Sequence, residues 1–72
     1  SETRAELRSI LKEAISQLPL DYKSVVILRH LQNLSYKEIS QILNLPMGTI
    51  KARIFRARKM LKTYLERRIS DF

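Results

Sequence analysis

Apolar residues recur along this chain at helical spacing and fall into four stretches. Leu7, Ile10, Leu11, Ala14, Ile15 and Leu18 follow one another mainly at three- and four-residue steps, which lines one face of an α-helix. They predict a first helix from about residue 2 to Leu18. Arg4, Arg8, Lys12, Glu2, Glu6 and Glu13 then fall on its solvated side. Pro19 lacks the amide hydrogen that would continue the ladder, and ends it. Tyr22, Val25, Val26, Ile27, Leu28 and Leu31 cover much of a second helix, Asp21 to Leu31, and mark it as central. Asp21 reads as its N-cap. The β-branched run within it also suits a strand, but a lone strand has no partner here. Gln32, Asn33 and Leu34 connect to Ser35, which has capping-box spacing to Glu38. A short third helix, Tyr36 to Leu43, is expected to bury Ile39, Ile42 and Leu43. Asn44 stands where a left-handed C-cap residue is wanted. Leu45 and Pro46 complete a tight corner, and Pro46 or Met47 opens a last helix that runs to Ile69. Two helices joined by so short a turn form a helix-turn-helix. The expected fold is therefore all-α: one four-helix domain over 1–72, with a C-terminal helix-turn-helix and no wing.

Composition narrows the chemistry. Seventy-two residues make one domain with a marginal core. The chain has no cysteine, which excludes disulfides and thiolate metal sites. Its single histidine, His30, builds no metal cluster alone, so neither metal nor cofactor is expected. Acidic residues are scattered over different helices without paired carboxylates, and His30 has no nucleophile or acid beside it. This is not the pattern of an enzyme. The longest apolar run, Val25 to Leu28, is far short of a membrane span. Ser1 to Arg4 offers no apolar signal region. A cytoplasmic location is expected.

Charge is distributed unevenly. Residues 1–46 carry six Lys/Arg and five Asp/Glu, whereas residues 47–72 carry eight Lys/Arg and two Asp/Glu. A nearly neutral scaffold thus joins a basic C-terminal segment, which suits a polyanion such as nucleic acid or an anionic surface.

The geometry of the last helix shows where that charge points. With about 100° per residue, Ile54, Ala57, Leu61 and Leu65 fall within roughly 60° of Ile50 and form its buried stripe. Ala52, Phe55, Arg56 and Lys59 fall within about 60° of the opposite line. Lys51 and Lys62 flank them. An apolar ring on an outward cationic face suits a thymine methyl in the major groove, and Arg56 suits a guanine edge. Lys51 and Lys59 reach bases or phosphates on the same face. Gly48 and Thr49 open the helix, where free amide hydrogens favour phosphate. Arg53 and Arg58 lie at the edges of the stripe, placed equally well to reach phosphate or to cover the seam. Tyr36 and Lys37 begin the third helix, which crosses the DNA backbone in this motif. For Tyr36, partial core packing competes with that role.

The run LPLDYKSVVILRHLQNLSYKEISQILNLPMGTIKARIFRARKML resembles region four of bacterial RNA polymerase sigma factors, particularly the extracytoplasmic-function group. The resemblance covers roughly Leu18 to Leu61. It rests on Leu18-Pro19, on Leu34-Ser35-Tyr36-Lys37-Glu38-Ile39, and on Met47-Gly48-Thr49-Ile50-Lys51 followed by Arg53 and Arg56-Ala57-Arg58. It implies promoter recognition at the minus-thirty-five element and docking on the flap of the polymerase β subunit. An anti-sigma factor is a further partner it implies. Base contacts carry over to Lys51, Ala52, Phe55 and Arg56, and phosphate contacts to Tyr36, Lys37, Gly48, Thr49 and Arg53. Ala52 replaces a common serine, Ser40 replaces a small alanine, and Asn33 and Asn44 stand where glycine is frequent. The family's region that binds the minus-ten element is missing, so the chain reads as the C-terminal domain of a longer protein.

Two other classes fit less well. The DNA-binding domain of a response regulator or quorum-sensing activator shares the layout, but the run Arg53, Arg56, Arg58 favours sigma. A basic module that binds a protein or an anionic membrane needs a broad exposed apolar face, and here the core claims the apolar stripe.

Overall fold

The computed structural model describes residues 2–70. Ser1, Asp71 and Phe72, the ends of the span read as one domain, lie outside the described residues. Those described hold α1 (Glu2–Ser16), α2 (Leu20–Val26) continued by a π-helical turn (Ile27–Leu31), α3 (Tyr36–Leu43) and α4 (Met47–Ser70). No strand occurs among them. Among these residues the fold is all-α, with a helix-turn-helix made by α3 and α4 and no wing.

Helix α4 is the spine, and α1, α2 and α3 all pack on it. Its buried stripe is shared between two apolar clusters. Ala57 and Leu61 meet Ala14, Ile15, Leu18 and Val26, with Tyr22, Ile27, Tyr64 and Leu65 against them. Ile50 and Ile54 meet Val25 and Ile39, with Leu28, Leu34, Tyr36, Leu43 and Leu45 around them. The second cluster holds four of the largest fully buried side chains, Ile39, Ile50, Ile54 and Val25. Each contributes about 1.5–3 kcal/mol by leaving water. The driest part of the core therefore lies beneath the helix-turn-helix and fixes the rotation of α4 about its axis.

Several sequence expectations are corrected. Leu7 and Leu11 are 53% and 40% exposed. Helix α1 meets the first cluster through Ala14 and Ile15, near its C-terminal end, and Leu18 joins them just beyond it. Ile42 is exposed as well. Helix α3 faces inward along the line of Ile39 and Leu43, and Ile42 lies about 100° from Leu43 around the helix. Leu31 is exposed at the end of the π turn. Helix α1 stops at Ser16, and a Leu18 N–H to Ile15 carbonyl bond of 3.1 Å tightens the exit.

Asp21 does not cap α2. The helix opens one residue earlier, because the Pro19 carbonyl accepts from the amides of Tyr22 and Lys23 at 3.0 and 2.9 Å. Asp21 sits in the first turn instead. The second helix also does not run regularly to Leu31. The Gln32 N–H reaches the Ile27 carbonyl at 3.0 Å, the five-residue step of a π turn. Ile27 packs on the first cluster and its neighbour Leu28 on the second.

Candidate nucleic-acid interface

The motif is built from local chemistry at its two turns. The Glu38 N–H donates to Ser35 Oγ at 3.1 Å, and the Ser35 N–H donates to Glu38 Oε1 at 2.9 Å. This capping box satisfies two amides that the first turn of α3 leaves without intrahelical partners. The bonds from Ser35 hold the Glu38 carboxyl below its ordinary pKa. Asn33 and Asn44 both adopt left-handed conformations, at φ 57° and 55°. Asn tolerates this region better than most side chains. Asn44 is the C-cap of α3, and the chain turns there so that Met47 opens α4. The Ile50 N–H donates to the Pro46 carbonyl at 3.1 Å.

Ser40 has a structural use. Its hydroxyl donates to the Leu45 carbonyl, while the Leu45 N–H donates to the Ser40 carbonyl at 3.1 Å. The side chain thus ties the corner between the two helices of the motif. On the other side of α3, Arg29 Nη1 donates to the Leu34 carbonyl at 3.0 Å. The Arg29 guanidinium also lies 5.0 Å from the centroid of the Tyr36 ring. Tyr36 is half-buried against the second cluster, so core packing accounts for much of its ring. Lys37, next to it, is exposed.

The outward face of α4 is where its periodicity places it. Lys51, Ala52, Phe55, Arg56 and Lys59 are exposed, and the intervening Ile50, Ile54 and Ala57 are buried. Phe55 is 60% exposed. Its ring is not bare, because Lys59 Nζ sits 4.6 Å from the ring centroid. This pairing of a cation with a π-face one helical turn away holds both groups on the same patch. Gly48 is exposed, and a β-carbon built on it meets nothing within 4 Å. The first turn of α4 is therefore open to an approaching backbone.

Five of the residues expected to meet DNA come together in one groove. Gly48, Thr49, Ala52, Arg53 and Arg56 line a cleft of about 510 Å³ between α4 and the start of α2. Lys51, Phe55 and Lys59 occupy the adjoining outward surface of the helix, and Tyr36 and Lys37 begin α3. Two further lining residues, Asp21 and Tyr22, carry no sequence signal for this role. Both belong to α2, and only the packing of α2 on α4 brings them to the groove. Asp21 Oδ1 lies 3.9 Å from Arg53 Nη1. Arg53, left open between phosphate and seam, is half-buried and turned toward α2.

A second cationic zone flanks the motif. His30 lies near Arg29 and Arg58, and its pKa is lowered by partial desolvation first and by these two guanidinium groups next. No group of acidic, histidine or cysteine side chains suited to a metal ion occurs among the described residues. No helix among them is long and apolar enough to cross a membrane.

The profile of the family described as Sigma-70, region 4 matches residues 8–61. The chain is 42% identical over 62 residues to the ECF RNA polymerase sigma-E factor of Haemophilus influenzae, which covers 86% of this chain and 33% of that protein. It is 46% identical over 56 residues to the protein of the same name in Escherichia coli strain K12, covering 78% of this chain and 29% of that protein. The Salmonella typhimurium LT2 protein gives the same figures. The chain thus spans about a third of the length of these relatives.

Proposed function

We propose that this chain, which belongs to the sigma-70 region 4 family, binds promoter DNA at the minus-thirty-five element as the C-terminal domain of a longer sigma factor of extracytoplasmic-function type. One observation carries the reading. A helix locked in rotation by the dry cluster of Ile50, Ile54, Ile39 and Val25 presents Lys51, Ala52, Phe55 and Arg56 outward on a basic surface. In this reading the first turns of α4 lie in the major groove. Arg56 donates to a guanine edge, Phe55 and the Ala52 methyl touch thymine methyls, and Lys51 reaches a neighbouring base edge. Gly48, Thr49, Arg53, Lys37, Lys59 and the Tyr36 hydroxyl fix the register through phosphates. The chain does no chemistry on its ligand and needs no cofactor. Its further partners are the polymerase core through the β flap, and an anti-sigma factor. Its place of work is the cytoplasm.

Selection from a randomised duplex pool tests this. The chain is expected to enrich one motif. Arg56→Ala and Phe55→Ala are each expected to relax that motif at distinct positions, by about 1–3 kcal/mol for each base interaction removed. Enrichment of no motif, or equal loss on every sequence in both variants, refutes base reading by this face.

A further inference from the structure

The groove between α2 and α4 contains one feature at odds with phosphate binding. Asp21 is the one carboxylate among its lining residues Asp21, Tyr22, Gly48, Thr49, Ala52, Arg53 and Arg56. It is 71% exposed, and the Arg53 side chain it faces is 27% exposed. We propose that Asp21 is an electrostatic brake on DNA-backbone binding, competing with phosphate for the Arg53 guanidinium. This rests on the DNA-binding reading above and adds a residue that acts through another.

The geometry decides the direction of the effect. A carboxylate that orients an arginine does so through short, paired hydrogen bonds of about 2.7–2.9 Å. The Asp21–Arg53 separation is 3.9 Å through a single oxygen, so Asp21 attracts Arg53 without fixing it. A solvent-exposed pair of this kind adds little to folding. Its cost falls on binding. A phosphate entering the groove must draw Arg53 away from one carboxylate and tolerate that carboxylate nearby. Orientation is a small gain here and repulsion the larger loss, so removal of the charge strengthens binding. Phosphates are alike at every sequence, so the brake acts on all duplexes. It leaves the free domain a weaker general DNA binder and a larger share of the affinity to base recognition.

The test measures binding of the chain to a duplex bearing its selected element and to a mixed-sequence duplex, at about 50 and about 200 mM salt. The set comprises the parent, Asp21→Asn, Arg53→Gln and the double variant, with thermal melting of each. Asp21→Asn is expected to tighten both duplexes about fivefold at the lower salt, the effect of one unit charge a few ångström away in water. It is expected to steepen the log Kd against log salt slope by up to about 0.9, the value of one whole phosphate contact, as the partial contact of Arg53 becomes a full one. With Arg53→Gln in the background the slope gain should vanish and the tightening should shrink to the part due to direct carboxylate–phosphate repulsion. Asp21→Glu, which keeps the charge, should stay near the parent. Asp21→Ser serves in place of Asn if Asn lowers the melting point, and is expected to tighten binding likewise. Unchanged or weaker binding by folded Asp21→Asn and Asp21→Ser overturns the brake. Equal tightening with and without Arg53 overturns the route through that guanidinium. If the parent binds neither duplex, the DNA reading itself fails and this inference with it. If the parent binds and removal of the charge gives no gain, this inference alone fails.

Discussion

Neutralising Lys37 separates phosphate binding from base recognition. Lys37 is exposed at the start of α3, outside the core and outside the groove lining, so Lys37→Gln leaves the fold intact. In the proposed complex, Lys37 and Lys59 neutralise phosphates while Arg53 remains partly held by Asp21 at 3.9 Å. Two neutralised phosphates give a slope of about −1.8 for log K against log salt, at about −0.9 each. A rise from about 50 to about 200 mM salt then weakens binding roughly twelvefold. Lys37→Gln should halve the slope to about −0.9, so the same change in salt weakens binding only about 3.5-fold. Its loss of affinity should be equal for the selected element and for mixed sequence. Fluorescence anisotropy with a labelled duplex across a salt series measures both quantities. An unchanged slope, or a loss confined to the selected element, would refute the placement of α3 across the backbone. Arg56→Ala provides the contrast, because removing a hydrogen-bond donor to a base edge should cost selectivity rather than slope alone.

Two further predictions concern the scaffold. Ile54→Ala should cost about 2–5 kcal/mol against a total stability of order 4–11 kcal/mol for a chain of this length, because Ile54 is 2% exposed in the second cluster. Urea denaturation reads this, and a loss under about 1 kcal/mol contradicts the described packing. Ser35→Ala should cost about 1 kcal/mol by opening the capping box. The Glu38 carboxyl is held below its ordinary pKa by its bonds with Ser35. Its contribution is therefore present above the unfolded-state pKa and lost as pH falls through the lower folded value. Glu38→Gln should flatten that acid limb of stability against pH, and an unchanged limb would count against the box.

The sequence was most legible where one residue type at one position answers one local need. Ser35 and Glu38 cap α3, Asn44 turns left-handed, and the Ile50–Ile54–Ala57–Leu61 stripe is buried. Each follows from spacing or backbone preference within a few residues. Tertiary placement was less legible. Periodicity assigned Leu7, Leu11 and Ile42 to a buried side, but burial also requires a partner surface, and the packing of α1 and α3 leaves them exposed. The π turn depends on one carbonyl bonding five residues on, for which residue patterns give little signal. Asp21 stands beside a helix start and reads as a cap. Its partner is Arg53, thirty-two positions along the chain, and only the docking of α2 against α4 reveals it.

Helix α4 joins folding and recognition through its register. Ile50 and Ile54 face the core, while Lys51 and Phe55 follow them immediately and face out. A rotation by one residue, about 100°, would expose Ile50 and turn the cationic face toward the packed helices. The free-energy cost of burying unpaired charge forbids that rotation, and burial of the isoleucines disfavours the opposite one. The farther half of α4 has a separate task. Leu61 and Tyr64 pack with α1 residues in the first cluster, and Arg68 Nε donates to Glu13 Oε2 at 3.3 Å. The groove and the outward face lie on the half held by α2 and α3, so changes along the interface with α1 should alter stability more than sequence choice. The register of the reading face is set instead by Val25, Ile39, Ile50 and Ile54, none of which needs to touch the ligand.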